Sequence, residues 1–172
     1  MGTVNELQSR DPAISCEGLV KSFGSTRALD GLDLEIAAGE VHGFLGPNGA
    51  GKSTTMRMIV GLDAPTSGAV TIDGSSYREL RFPLRQVGAL LDAKAVHPAR
   101  TARGHLRWIA ASNDIDRRRV DEVLELVGLG EVADGKVGGF SLGMGQRLGI
   151  AAALIAAAGV VMLDEPVNGL DP

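Results

Sequence analysis

The stretch Gly46 to Thr54, GPNGAGKST, constrains this chain more than any other. Within it, Gly46 to Ser53 fit the spacing G-x-x-x-x-G-K-S. The glycines let successive backbone N–H groups converge on phosphate oxygens with no side chain between them. A helix that follows adds partial positive charge at its N-terminus. Such a loop works at the junction of a strand and a helix, and both flanks suit it. Glu40 to Leu45 (EVHGFL) predicts a strand, and Thr54 to Gly61 predicts a helix stopped by glycine. Gly46, Pro47, Asn48, Gly49, Ala50, Gly51, Lys52, Ser53 and Thr54 are therefore the candidate phosphate-binding residues. Lys52 offers a mobile charge to β- and γ-phosphates, and Ser53 a hydroxyl to Mg²⁺. The competing reading is a Gly-rich turn with a coincidental lysine.

A second constraint lies in Val160 to Pro166, VVMLDEP. Four apolar residues predict a short buried strand, which delivers Asp164 and Glu165 to the carboxyl edge of a sheet, where ligand sites of open α/β folds lie. Asp164 can hold Mg²⁺ through its water shell, and Glu165 can orient an attacking water and accept its proton. Alternatively, the two acids cap the next element.

The rest of the pattern is α/β. Strands are predicted at Ile14 to Val20, Asp30 to Ile36, Ala69 to Ile72 and Val87 to Leu91, with a turn at Asp63 to Gly68. From Pro98 to Val137 the spacing becomes helical, with Leu106, Ile109 and Ala110 on one face and Val120, Val123, Leu124 and Val127 on another. Ser141 stands where an N-cap belongs, ahead of an Ala-rich helix predicted to reach Ala158. With 172 residues the chain is about one domain long. Its net charge of -4 and scattered arginines argue against a nucleic-acid surface, and the run Arg117 to Arg119 reads as a solvated helix face. Cys16 is the only cysteine, which excludes an internal disulfide framework and suits a reducing compartment. The polar N-terminal leader, residues 1 to 12, has no apolar core of a signal peptide. The longest uncharged stretch, Leu148 to Leu163, is 16 residues, short of the roughly 20 that cross a bilayer.

What narrows the family is Phe140 to Leu148, FSLGMGQRL, whose Ser141 lies 23 residues ahead of Asp164. It resembles the signature motif of the ABC transporter ATP-binding subunits, usually a leucine, a serine, two glycines and a glutamine. Ser141 and Gly143 keep their places, while Phe140, Leu142 and Met144 replace the leucine, first glycine and glutamine. The acids of VVMLDEP then resemble Walker B, the glycine loop Walker A, and Asn168 to Asp171 (NGLD) the D-loop. Phe23 in KSFG resembles the aromatic that stacks on adenine, with a core role as the alternative. VGALLDAKAVHP and FSLGMGQRLGIAAAL look most like bacterial ATPases of ABC-2 type drug and bacteriocin exporters.

The resemblance implies an α/β P-loop NTPase (RecA-like) core with an N-terminal antiparallel β-subdomain and an inserted α-helical subdomain. One ABC domain would span 1–172, with 13–91 carrying the β-rich part and Walker A, 92–140 the helical subdomain, and 141–172 the signature helix, Walker B and D-loop. It further implies that Mg-ATP is hydrolysed to ADP and phosphate, with Lys52 and Glu165 catalytic and Ser53 and Asp164 at the metal. Two subunits would sandwich two ATP molecules head to tail, each between Lys52 and Ser53 of one and Ser141 and Gly143 of the other, with Asp171 at the dimer contact. An ABC-2 type permease would be the membrane partner, and the subunit would sit in the cytoplasm on the inner face of the membrane. In this family another strand, a switch histidine and a final helical stretch follow the D-loop, so the C-terminal part of the core is expected to be missing and isolated residues 1 to 172 to be unstable.

Some positions depart from the family pattern. Asp92 stands where the Q-loop has glutamine, a position implied to contact the metal and the permease, and Gln86 is six residues too early. His97 and His105 precede Walker B, so neither matches the switch histidine; they read as residues near the permease surface or as surface histidines. Trp108 reads as packing. Two other functions stay open: a nucleotide-binding module without turnover, and an ABC-type ATPase acting on ribosomes or DNA.

Overall fold

The computed structural model describes residues 12–47, 49–92 and 96–166. An antiparallel sheet opens the chain, in the order β2, β1, β3, from β1 (Ile14–Phe23), β2 (Thr26–Ile36) and β3 (Ser67–Ile72). β1 and β2 are joined by two residues, with Phe23 opposite Thr26 and Gly24 at φ 57°, the backbone conformation such tight hairpins demand. Ile14 pairs with both Ile36 and Ile72, so one apolar residue from each strand meets at the buried end of the sheet.

A second sheet is a parallel pair, β4 (Val87–Leu90) with β5 (Val160–Leu163). Parallel strands need a long crossover, and here 69 residues separate Leu90 from Val160, holding helices α3 (Ala102–Ser112), α4 (Arg118–Leu126) and α5 (Leu142–Leu154). Two further α-helices among the described residues are α1 (Lys52–Ile59) and the one-turn α2 (Pro83–Gln86).

The interior forms two apolar clusters. One gathers Ile14, Cys16, Leu19, Met58, Ile72, Val87 and Met162, joining the antiparallel sheet to α1 and the parallel pair. The other gathers Leu106, Ala110, Val120, Val123, Leu124, Leu148 and Ala151 from α3, α4 and α5. The helical spacing read from the sequence thus marks the faces that are buried. Polar contacts lock the second cluster: Arg103 of α3 pairs with Asp121 and Asp134, and Arg147 of α5 donates to the carbonyls of Val127 and Gly128.

α5 lies against β4 with almost no space between the backbones. A methyl group on Gly88 would overlap the carbonyl oxygen of Ala153, and one on Gly149 would strike the Leu90 side chain. Glycine at both positions is what lets helix and strand approach.

Several sequence expectations need correction. Glu40 to Leu45 forms no strand, because a strand exists only through its neighbour's hydrogen-bond ladder and no described strand pairs with this segment. Val41 and Leu45 are 101% and 93% exposed, facing outward from a segment whose apolar pattern belongs to a sheet. The first helix begins at Lys52, two residues before Thr54, and ends at Ile59 with Gly61 at φ 67° beyond it. β3 begins at Ser67 inside the expected turn, β1 runs on to Phe23, β2 starts at Thr26, and β4 ends at Leu90. α5 stops at Leu154 rather than Ala158. Ala157 turns left-handed at φ 49°, and the Arg119 guanidinium donates to the carbonyls of Leu154 and Ile155. Arg119 is therefore a helix cap, unlike the exposed Arg117 and Arg118.

His97 is exposed, whereas His105 is half-buried and its Nδ1 has no hydrogen-bond partner among the described residues. Burial, helped by the charge of Arg100, holds its pKa below the ordinary 6.5. Trp108 is not packed inside: it is 56% exposed, stacks on His105 at 6.5 Å and carries the Arg100 guanidinium 5.1 Å from its ring centre.

Two outcomes follow from this packing. Gly88→Ala is expected to lower the unfolding free energy of the full chain by about 1–3 kcal/mol in a urea titration, because the backbone it strikes cannot move aside cheaply; an unchanged midpoint would contradict the close approach. For His105 the folded state favours the neutral ring, so as pH falls through 6.5 the unfolded chain takes up a proton that the folded chain resists, and stability drops. The loss in melting temperature between about pH 7.5 and about pH 5.5 is expected to be smaller in His105→Gln than in the parent. Equal losses would show that His105 does not titrate in this way.

Candidate functional site

The glycine loop closes onto the start of α1. Gly49 and Gly51 sit at φ 85° and 86°, a region costly to any residue with a Cβ, and a Cβ on Gly51 would also lie 2.8 Å from the Ala28 carbonyl oxygen. Gly51 is the N-cap of α1 and supplies no side chain to the helix end, so the first-turn N–H groups keep their capacity to bind an anion. Thr55 anchors that turn from inside, its hydroxyl donating to the Gly51 carbonyl at 2.9 Å.

Lys52 arches back over the loop and donates to the carbonyls of Gly46 and Pro47, at 2.7 and 2.9 Å. Both partners are neutral acceptors, which an anionic phosphate oxygen can replace with a stronger, charge-assisted bond. Ala50 N–H donates to Pro47 at 3.1 Å, which tightens the turn under the ammonium. Thr54 is the third residue of α1.

The second half of the site comes from β5. Its ladder with β4 continues one residue beyond the strand, Asp164 N–H donating to Leu90 at 2.8 Å. That fixes Asp164 so that its carboxylate accepts a 2.6 Å hydrogen bond from the Ser53 hydroxyl. Two motifs 111 residues apart in sequence thereby meet through a single short contact. Glu165 follows at φ 45°, a left-handed conformation that costs a non-glycine residue roughly 1–2 kcal/mol. Its main-chain carbonyl accepts from the buried amide of Gln146 at 3.2 Å. Lys52, Gly46, Asp164 and Glu165 line one cavity of about 760 Å³, bounded on one side by residues 37–46 and on the other by β5.

These donors suit a hard cation. The Ser53 hydroxyl and the Asp164 carboxylate are adjacent oxygens beside the lysine, and Mg²⁺ takes few protein oxygens together with phosphate and water. No group of three or more His, Cys, Asp or Glu that could hold a metal ion occurs among the described residues. Asp92 lies two residues past β4, exposed at the same sheet edge.

Ser141 caps α5, its hydroxyl oxygen accepting from the Met144 N–H at 3.2 Å, so the ordinary N-cap reading holds. Neither Ser141 nor Gly143 lines the Lys52 cavity, and within one chain the two are not brought to the loop. Phe23 is 52% exposed at the end of β1, which removes the core alternative, and the Lys21 ammonium covers its ring 4.8 Å from the centre. Asn48 and Asp171, like the rest of Asn168 to Asp171, lie outside the described residues. Cys16 takes no part: burial pushes its thiol up to about 11, far from a reactive thiolate. Gln146 is a residue that motif reasoning passes over, its one sequence signal being an amide that stands, beside Arg147, in a helix of glycine and apolar residues.

The ABC transporter family model matches residues 29–168. The chain is 44% identical over 161 residues to the bacitracin transport ATP-binding protein of Bacillus licheniformis, covering 92% of this chain and 53% of that protein. It is 38% identical over 167 residues to a daunorubicin resistance ATP-binding protein of Streptomyces coeruleorubidus, covering 94% and 53%. The chain thus spans about half the length of these relatives. Among solved structures, a dimeric bacterial ABC transporter cassette superposes with a TM-score of 0.84 at 28% identity, covering 92% of this chain and 76% of the other. An ATP-binding subunit of an ABC transporter superposes at 0.82, also at 28% identity, covering 93% and 69%. Glycine loop, signature helix and acidic strand end thus occur together in a chain that matches these proteins along nearly its whole length: it belongs to the ABC transporter family, as an ATP-binding domain with the P-loop NTPase fold.

Proposed function

We propose that the chain binds Mg-ATP and hydrolyses it to ADP and phosphate, as the engine of an exporter whose pathway is a separate ABC-2 type permease. The observation that carries this reading is the 2.6 Å contact between Ser53 and Asp164, which unites the phosphate loop with the acidic strand end. The loop N–H groups and Lys52 would hold the β- and γ-phosphates and take up the charge that spreads over the γ-phosphoryl oxygens. Mg²⁺, when bound at Ser53 and Asp164, would supply further neutralisation of that charge. Glu165, at the cavity wall, would orient a water for in-line attack on the γ-phosphorus. The bond to the β–γ bridging oxygen breaks as the new P–O bond forms, and the water's proton passes to the carboxylate.

The position of Ser141 and Gly143 away from the Lys52 cavity supports a head-to-tail dimer, in which they would face a partner subunit's γ-phosphate with the positive end of α5. Phe23, exposed on one face and backed by Lys21, is suited to stack on adenine. No described helix is long and apolar enough to cross a membrane, so work at a membrane would pass through a permease, with this subunit on its inner face. Similarity to a bacitracin transport and a daunorubicin resistance ATP-binding protein supports export. A second reading, nucleotide binding without turnover, draws on Asp92 at the Q-loop position, where an acid replaces the family's amide.

Steady-state ATP turnover of the full chain with Mg²⁺ separates the two. Glu165→Gln is expected to cut turnover by roughly 100- to 10,000-fold while a fluorescent ATP analogue still binds. Turnover that survives this change would remove Glu165 from the chemistry, and binding with no turnover in the parent would favour the second reading. Lys52→Met is expected to weaken binding of that analogue about 10- to 100-fold, the value of one charge-assisted hydrogen bond to phosphate. Undiminished affinity would mean that the lysine does not reach the nucleotide.

A further inference from the structure

Gln146 is the one amide buried on α5, only 4% exposed, on a helix whose other buried residues are glycine, alanine and leucine. An amide in that place is costly unless it is hydrogen-bonded. Its Nε2 donates to the main-chain carbonyl of Glu165, 3.2 Å away and 19 residues on. That carbonyl belongs to a residue held at φ 45°, in the left-handed region that non-glycine residues avoid. Strain of this kind persists only where the surroundings over-determine it. Three features supply the surroundings here. β5 is in register with β4 up to the Asp164 N–H, the helix carrying Gln146 is pressed onto β4 through Gly149 and Gly88, and the amide fixes the next carbonyl in line.

We propose that Gln146 is a positioning residue for Glu165: its amide holds the main chain in the left-handed turn that presents the Glu165 carboxylate to the cavity shared with Lys52. The inference rests on the reading of Glu165 as the group that activates water. Gln146 also stands five residues from Ser141 on the same helix, so one hydrogen bond ties the place of the signature serine to the posture of the acid. Truncating the donor leaves the phosphate loop and Ser53 untouched, and turnover falls while nucleotide binding does not.

The test measures kcat, KM for ATP and fluorescent-nucleotide affinity in the full chain for Gln146→Met, Gln146→Glu, Gln146→His and Glu165→Gln, each normalised to the protein able to bind nucleotide. Methionine keeps the volume without the donor, glutamate keeps the shape but sets an acceptor against the carbonyl, and histidine restores an N–H at similar reach. The methionine and glutamate variants are expected to lose about tenfold in kcat, the equivalent of one hydrogen bond, with KM and affinity within about twofold of the parent. Histidine is expected to recover part of that loss. If the methionine variant fails to fold, the glutamate and histidine pair carries the comparison. Full kcat in the donor-less variants, a joint loss of kcat and affinity, or histidine no better than methionine or glutamate would overturn the proposal. Should Glu165→Gln keep its turnover, the reading of Glu165 falls and this inference with it. A dead Glu165→Gln beside a fully active Gln146→Met would sink the positioning role alone.

Discussion

The site depends on the close packing of α5 against β4, which only glycine permits. Helix and strand usually stand apart by the thickness of their side chains, but at Gly88 and Gly149 backbone and side chain approach until no methyl group fits. That approach brings the helix bearing Ser141 and Gln146 within reach of the strand end bearing Asp164 and Glu165. The parallel register Leu90 to Leu163 then sets how far β5 projects, and the Asp164 N–H bond to Leu90 sets the first residue beyond it. From there a carboxylate can meet Ser53 across the cleft. Loosen the helix, and each later distance in that sequence loses its reference.

The phosphate loop is held differently, by backbone conformation rather than by packing. Gly49 and Gly51 occupy φ values that other residues avoid, and Thr55 secures the turn from the buried side. Lys52 remains bonded to neutral carbonyls, a poise in which an arriving anion gains by replacing them. The two halves of the site therefore have unlike mechanics: a loop whose geometry is written into its own residues, and an acidic pair whose geometry is borrowed from the helix and strand around it.

That difference explains what could be read from the sequence. The loop was legible because its requirements are local: glycine where φ is positive, lysine and serine at fixed offsets, a helix directly after. The buried faces of α3 and α4 were legible for the same reason, since Leu106, Ala110, Val120, Val123 and Leu124 repeat at helical spacing. Gln146 was not, because its role is set by a carbonyl 19 residues away and no periodicity marks it. Nor was the cap supplied by Arg119, which looked like one of three solvated arginines until the end of α5 came to lie beside it. The half-buried His105 was hidden likewise, its environment coming from Trp108 and Arg100 as much as from its own position in α3.

Glu40 to Leu45 shows the limit of local pattern from the other side. Its alternation of apolar and polar residues is that of a strand, and its place just before the loop is where a strand should be. Yet a strand is a property of two segments. Without a ladder beside it, the segment leaves Val41 and Leu45 in solvent and forms one wall of the cavity, across from β5. The cavity wall and the strand ladder are the same surface viewed for different purposes, since backbone groups that bond to a neighbouring strand would also fix the entry to Gly46. The geometry of the phosphate loop is thus anchored on its helical side, through Gly51 and Thr55, while no described strand pairs with the segment that enters it at Gly46.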